Sequence, residues 1–114
     1  VTLARPGAPA TVLTRGDGAW SAECAFPADA PYFRGHFPGF PIVPGVVQLG
    51  TAWRMAARVL GRELVPSGVR KMKFTRVIRP DETVRLSLAV RAPGEIAYAY
   101  RKGGETCASG ILCF

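Results

Sequence analysis

Apolar residues are interleaved with polar ones along four segments in the second half of the chain, a pattern that is typical of β-strands. The four segments are Val69–Ile78, Glu82–Arg91, Glu95–Arg101 and Thr106–Phe114. Short turns rich in Pro, Gly and Asp separate them, and connections this short require antiparallel neighbours. Upstream, Thr11–Thr14 and Ala19–Phe26 flank an Asp-Gly turn that is typical of a hairpin. The pattern therefore predicts a largely antiparallel sheet.

The apolar spacing changes to that of a helix over Gly45–Leu60. Pro44 and Gly45 open this helix, and Gly61 suits its C-terminal cap. Small and apolar side chains share one face: Val46, Leu49, Gly50, Trp53, Ala56, Ala57 and Leu60. The opposite side holds Gln48, Thr51, Arg54 and Arg58. Much of the remaining helix surface is also apolar, which predicts a helix wrapped by the sheet, with Trp20 and Trp53 in the core.

The composition fits one α+β domain over residues 1–114, with a loose Pro/Gly/Ala-rich segment at residues 1–8. Apolar runs stay shorter than the roughly 18 residues that a membrane helix needs, and no signal-peptide pattern opens the chain. The three cysteines, Cys24, Cys107 and Cys113, are odd in number and lack metal-ligand spacing. We therefore expect free thiols, no metal or other cofactor, no membrane partner and a cytoplasmic location.

The net charge of +7 raises the question of a nucleic-acid partner. The basic residues cluster in one predicted strand and its end, at Arg70, Lys71, Lys73, Arg76 and Arg79. No nucleic-acid-binding motif accompanies the cluster, so we do not expect nucleic acid to bind. Two interpretations stay open: the cluster attracts an acidic protein or a phosphorylated carrier arm, or it is a solvated face.

His36, the single histidine of the chain, lies in a stiff segment between the hairpin and the helix. Glycines and prolines surround it in Gly35-His36-Phe37-Pro38-Gly39-Phe40-Pro41-Ile42-Val43-Pro44-Gly45. Prolines fix φ and glycines permit close approach to the backbone. A rigid loop around the one side chain that titrates near neutral pH marks His36 as a candidate catalytic base.

This segment resembles the signature of the β-hydroxyacyl-acyl-carrier-protein dehydratases, which have the hot-dog fold: one long central helix wrapped by an antiparallel sheet. The matching residues are His36-Phe37-Pro38-Gly39, Pro41, Pro44-Gly45 and Val46. Phe74 with Val77 and Arg79-Pro80-Asp81 more weakly resembles the family's Phe-x-x-x-Val-x-Pro-Gly-Asp element, without the turn glycine.

The resemblance implies a role for each matching residue. His36 is the general base, and the backbone N–H of Gly45 binds the thioester carbonyl at the helix N-terminus, where the helix dipole favours negative charge. The substrate-binding set is Phe37, Gly39, Phe40, Pro44, Val46 and Gly50. The implied partner is acyl carrier protein, attracted by the basic cluster. The implied assembly is a homodimer, or a heterodimer with a second hot-dog subunit, with active sites at the interface.

One departure from the family concerns the general acid. The family carries a carboxylate fourteen positions after the histidine, and that position is Gly50 here. Three explanations stay open: a different subunit supplies the acid, His36 shuttles the proton itself with water or Gln48, or the protein only binds acyl groups. Gly50 itself either widens an acyl tunnel or permits close packing of a strand or partner helix.

The function implied is a dehydratase-like protein for 3-hydroxyacyl thioesters in fatty acid, lipid or polyene-type biosynthesis. Two alternatives stay open. One is an acyl thioesterase on the same fold, with water in the space at Gly50. The other is a non-catalytic subunit that binds the acyl carrier.

Overall fold

The computed structural model describes residues 13–16, 18–35, 37 and 39–114, so the segment 1–8 that we expect to be loose lies outside the described residues. The strands are β1 Leu13–Gly16, β2 Ala19–Cys24, β3 Gly68–Phe74, β4 Val84–Ala92, β5 Glu95–Lys102 and β6 Glu105–Cys113. The helix is α1 Gly45–Leu60, preceded by a 3₁₀ turn at Pro31–Phe33.

The six strands form one sheet in the order β1-β2-β4-β5-β6-β3, and every pair of neighbours is antiparallel. The predicted short turn from β3 to β4 is wrong, because β3 pairs with β6 at the far edge of the sheet. β3 ends at Phe74 rather than Ile78, since the N–H groups of Thr75 and Arg76 both turn to the carbonyl of Cys107. The connection to β4 is therefore long enough to cross the sheet.

Helix α1 has the bounds that the sequence predicts. Pro44 is the N-cap in an extended conformation, and its carbonyl accepts hydrogen bonds from the N–H groups of Val47 and Gln48 at 3.0 and 3.1 Å. Gly61 closes the helix with a φ of 69°, the left-handed cap that glycine favours.

The face of α1 that packs on the sheet differs from the one that the apolar spacing predicts. The buried stripe is Gln48, Thr51, Ala52, Met55 and Ala56. Val46, at the head of the predicted stripe, is 76% exposed, while Leu49, Gly50, Trp53, Ala57 and Leu60 are only partly buried. Within this single chain the helix is therefore covered on one side, and its other apolar side is open.

Two polar side chains can face the core because hydrogen bonds satisfy most of their groups. The buried hydroxyl of Tyr100 on β5 donates to the Gln48 carbonyl at 2.7 Å. The Gln48 Nε2 donates to the carbonyl of Val43 at 3.2 Å, and the Thr51 Oγ1 accepts from the Arg54 Nη2 at 3.2 Å. Tyr100 lies 52 residues from Gln48 and Val43 lies before the helix, so the apolar spacing of the helix did not reveal these two partners.

The core lies between α1 and the inner face of the sheet. On β2 and just beyond it, Ala22, Cys24 and Phe26 are buried on one face, and Tyr98 and Tyr100 meet edge to face on β5 with ring centroids 6.2 Å apart. Trp20 and Trp53, which we expect in the core, are instead partly buried at its margin. There the Trp53 ring meets the edge of Phe114 at 6.4 Å.

Candidate active site

The signature loop turns tightly before it reaches the helix. The backbones of Phe37 and Phe40 exchange two hydrogen bonds, at 3.2 and 2.9 Å. Gly35 and Gly39 have φ values of 71° and 74°, which side chains other than glycine rarely adopt. The glycines are thus needed for the path of the loop. His36 itself, like Pro38, lies outside the described residues.

Arg79 holds this loop against the segment that follows β3. Its guanidinium lies over the ring of Phe40, 4.3 Å from the centroid, and its Nε reaches the Pro41 carbonyl at 3.5 Å. Next to it, the N–H of Val43 donates to the carbonyl of Ile78 at 2.7 Å. Two segments well separated in the chain therefore fix the path that leads into α1.

The first turn of α1 leaves backbone donors available. The first hydrogen bonds of the helix come from Val47 and Gln48, so the N–H groups of Gly45 and Val46 take no part in them. The ring of Phe74 packs on Gly45: a Cβ there would lie 2.9 Å from Cζ of Phe74. This contact gives Gly45 a structural reason to be glycine, beside the access to its N–H that the sequence suggests.

A cavity of about 200 Å³ adjoins this helix start. Its walls come from the signature loop, α1 and the end of β3: Ile42, Val43, Gln48, Phe74, Thr75, Arg76 and Val77. Gln48 is only 4% exposed, and its Oε1 has no hydrogen-bond partner among the described residues. Sequence reasoning missed Gln48 as part of this wall, since it lies on the helix side that looked solvent-facing.

Gly50 opens space beside Arg54. A Cβ built on Gly50 would meet one atom within 4 Å, the Nη1 of Arg54 at 3.5 Å, which is an ordinary contact. Close packing of a strand on Gly50, one of the two interpretations of this glycine, does not occur within the described chain. The position where the family carries its acid is thus an open notch with a cation next to it.

The predicted carrier patch is partly neutralised within the chain. Arg70 pairs with Glu95 at 2.6 Å and Arg76 with Glu105 at 2.8 Å, while Arg79 is engaged with the loop. Lys71 and Lys73 have no ion pair within the described residues and lie exposed on the edge strand β3. A β-bulge separates Arg70 from Lys73, and Lys71 has a φ of 53° there. Of the five basic residues in the predicted carrier patch, Lys71 and Lys73 are therefore the two whose charge has no partner among the described residues.

In the weaker motif, which ends in Arg79-Pro80-Asp81, Asp81 adopts the backbone conformation that the missing turn glycine would favour. Asp81 has a φ of 62°, in the left-handed region that glycine favours and aspartate tolerates. Its N–H donates to the Phe26 carbonyl at 2.8 Å, and its Oδ1 accepts from the N–H of Ala28 at 3.3 Å. Glu82 follows and accepts hydrogen bonds from the Arg79 N–H at 2.7 Å and from Lys102 at 3.0 Å. The turn is kept without its glycine.

Burial and charge shift three pKa values around the helix. Burial raises the pKa of Tyr32 to about 12, although the nearby charge of Arg54 opposes the shift. Burial also raises the pKa of Tyr100 well above its usual value. Burial alone would raise the pKa of Glu82, but the Arg79 N–H and the Lys102 ammonium outweigh it and lower the pKa. Both phenols therefore stay protonated at neutral pH.

In the described part of the chain, no group of three or more His, Cys, Asp or Glu side chains is arranged to hold a metal ion. The described helices include none that is long and apolar enough to cross a membrane. Cys24, Cys107 and Cys113 are thiols, and none of the three forms a disulfide.

One long helix packed on an antiparallel sheet, with the loop at the helix N-terminus, defines the hot-dog fold. Two solved structures have the same fold. The dehydratase heterocomplex ApeI:P from Xenorhabdus doucetiae superposes with a TM-score of 0.83 at 21% identity, over 92% of this chain and 96% of that one. The dehydratase domain of a mycocerosic acid synthase-like polyketide synthase gives 0.71 at 18% identity, over 99% of this chain and 41% of that one.

Sequence comparison identifies the family. The model of the ApeI-like family, described as ApeI dehydratase, matches residues 13–111. FabZ, the 3-hydroxyacyl-(acyl-carrier-protein) dehydratase of Desulforamulus reducens, is 33% identical over 98 residues, 76% of this chain and 69% of that protein. FabZ of Chloroflexus aggregans is 41% identical over 68 residues, 54% of this chain and less than half, 47%, of that protein. The chain belongs to the ApeI-like dehydratase family, and its resemblance to 3-hydroxyacyl carrier-protein dehydratases is confirmed.

Proposed function

We propose that this protein is a dehydratase-type subunit that acts on 3-hydroxyacyl thioesters carried by acyl carrier protein, in the cytoplasm. One observation carries the proposal: the N–H groups of Gly45 and Val46, which have no hydrogen-bond partner among the described residues, follow directly on the signature loop and adjoin a cavity. Backbone donors at a helix N-terminus favour a developing negative charge. The substrate class comes from the FabZ relatives, whose name specifies it.

Each step of the dehydration has a proposed residue. The imidazole of His36 takes the proton from C2 of the acyl chain. The charge that moves to the thioester oxygen is stabilised by the N–H of Gly45. The C3–O bond then breaks, a C2–C3 double bond forms, and the hydroxyl accepts one proton and leaves as water. The proposed lining of the acyl site is Phe37, Gly39, Phe40, Pro44, Val46 and Gly50.

The proton for the departing hydroxyl is proposed to come from a second hot-dog subunit. Gly50 has no side chain to supply it, and Gln48 is a carboxamide, which does not release a proton near neutral pH. The Gln48 Nε2 already donates to the Val43 carbonyl. Gln48 can orient a water or hydroxyl through its Oε1 or its second Nε2–H, but it supplies no proton.

The open side of α1 supports this pairing. Val46 is 76% exposed, and Phe74, Met72 and Val77 near the β3 edge are about half exposed. A contiguous apolar surface of this kind is typical of a protein–protein interface. The similar ApeI:P structure is a heterocomplex. We therefore propose a different hot-dog subunit, rather than a second copy, as the partner that completes the site.

The test is an assay of the full chain with 3-hydroxyacyl carrier protein, followed by mass spectrometry of the carrier-bound acyl group. We expect little loss of water with the chain alone. Dehydration should rise when a second hot-dog protein from the same genome, with a carboxylate at the helix position, is added. Release of free hydroxy acid would favour the thioesterase alternative, and binding without turnover would favour the non-catalytic one.

A further inference from the structure

A second cavity lies at the other end of α1, away from the signature loop. It is a depression of about 320 Å³ that lies open to solvent between the helix and the segment that follows it, and Trp53, Arg54, Ala57, Glu63, Leu64 and Pro66 line it. Gly45 and Ala57 are twelve residues apart, about 18 Å along a helix that rises 1.5 Å per residue. The cavity is therefore separate from the proposed catalytic groups.

The walls of this cavity are mostly apolar and well supported. Trp53 forms one wall, and its ring is held by the edge of Phe114 at 6.4 Å. Phe114 in turn lies under the guanidinium of Arg62, 5.4 Å from its centroid. Leu64 and Pro66 close the other side. Concave, largely apolar sites with one or two placed polar groups are typical of small-molecule sites.

Arg54 is the cation of this cavity, and its charge is not balanced in the described chain. No carboxylate of the described residues lies within 4 Å of its guanidinium. Its Nε is buried and has no hydrogen-bond partner, while Nη2 is held by the Thr51 hydroxyl. A partly desolvated guanidinium without a counter-ion is unfavourable, and its planar donors match a carboxylate. Glu63 is exposed on the rim and forms no ion pair with Arg54.

We propose that this cavity binds the carboxylate of an apolar, fatty or aromatic acid, with the carboxylate on Arg54 and the apolar body against Trp53 and Leu64. The inference shares Gly50 with the proposed acyl-site lining, but it does not depend on the proposed dehydration because binding needs no turnover. Gly50 contributes to this site, because the absence of a side chain there leaves space next to Nη1 of Arg54.

The experiment compares two probes of nearly the same shape, 3-phenylpropanoate and 3-phenylpropanamide, by calorimetry on the full chain in 0.15 M salt. The wild-type chain should bind the acid about tenfold more tightly than the amide, because a charge-assisted pair is about twice as strong as a neutral hydrogen bond. Arg54→Gln should lower the affinity for the acid to that for the amide. Arg58→Gln, an exposed arginine on the same helix, is the matched control and should keep the preference.

Two further variants keep the test decisive if Arg54→Gln fails to fold. Gly50→Glu places a carboxylate four residues before Arg54, so it should compete in cis and remove the preference for the acid. Glu63→Gln removes the carboxylate on the rim and should tighten binding of the acid alone. Equal binding of both probes to the wild-type chain, binding of neither, or a preference that survives Arg54→Gln would overturn the proposal.

Discussion

The ring of Phe74 lies directly over Gly45, so that a Cβ at Gly45 would come within 2.9 Å of Cζ and 3.1 Å of Cε1. Gly45→Ala must therefore displace the ring. Because Phe74 is about half exposed and can rotate, we expect a loss of about 1 kcal/mol in the free energy of unfolding, at the low end for overpacking. Urea unfolding of Gly45→Ala, Phe74→Leu and the double variant measures the coupling. If the free-energy changes of the two single variants simply add in the double variant, Gly45 and Phe74 are not energetically coupled.

The catalytic assignment predicts the effect of three substitutions. His36→Ala should lower any dehydration by about 10²–10⁴-fold, the usual contribution of a general base. Gly50→Glu alone should give little gain, because Arg54 would lie beside the new carboxyl and keep it ionised, which makes it a poor proton donor. Adding Arg54→Gln to Gly50→Glu should raise the dehydration rate. Adding His36→Ala to that double variant should abolish the increase. The pH dependence of the rate checks this, and equal rates for the single and double variants would contradict it.

The ion pairs on β3 predict which basic residues serve the carrier protein. Lys71→Glu with Lys73→Glu should weaken association, mainly through a slower on-rate and a shallower dependence on salt. The matched pair, Arg70→Gln with Arg76→Gln, should have the smaller effect, since Glu95 and Glu105 already offset those charges. Stopped-flow binding to acyl carrier protein at several salt concentrations distinguishes the two. Equal effects would mean that the cluster acts only through net charge.

The contact between Arg79 and Phe40 predicts a loop that depends on one guanidinium. Arg79→Gln should increase amide hydrogen exchange at Phe40 and Val43 and lower activity, with a global stability change below about 1 kcal/mol. Arg91→Gln, an exposed arginine near the end of β4, is the control. If exchange in the loop stays unchanged, the loop is held by the Val43–Ile78 hydrogen bond alone.

The raised pKa values of the buried phenols predict a loss of stability at alkaline pH. A phenol with a pKa raised by folding stabilises the protein fully below its unfolded pKa of about 10, and this contribution is lost as the pH rises through the folded value. For Tyr32 this stabilisation is lost between about pH 10 and about pH 12. Tyr32→Phe should flatten this limb in urea unfolding between pH 8 and 11.

Tyr100→Phe tests the buried hydrogen bond at neutral pH. It should cost about 1 kcal/mol because the Gln48 carbonyl loses its buried donor, and it should also flatten the alkaline limb. An unchanged limb in both phenol variants would contradict the assignment of the alkaline loss to these phenols.

The error at the β3–β4 turn shows where strand spacing stops being informative. Phe74, Val77 and Ile78 continue the apolar residues of the strand, and Pro80-Asp81 looks like a tight turn. Whether β3 continues depends on the carbonyl of Cys107, more than thirty residues away, which captures the N–H groups of Thr75 and Arg76. A local pattern cannot contain that partner.

The sequence by itself determined the helix bounds, because Pro44 and Gly61 act through local backbone geometry, and it determined the signature loop, because Gly35 and Gly39 are required by their positive φ. The tertiary structure decided which side of α1 is buried. Gln48 can turn inward because Tyr100 bonds to its backbone carbonyl and Val43 to its side-chain amide, and the Thr51 hydroxyl accepts a hydrogen bond from Arg54. It also decided that Arg54 lies beside the space at Gly50 and that Lys71 and Lys73 keep their charge unpaired, since each depends on side chains that meet only after folding.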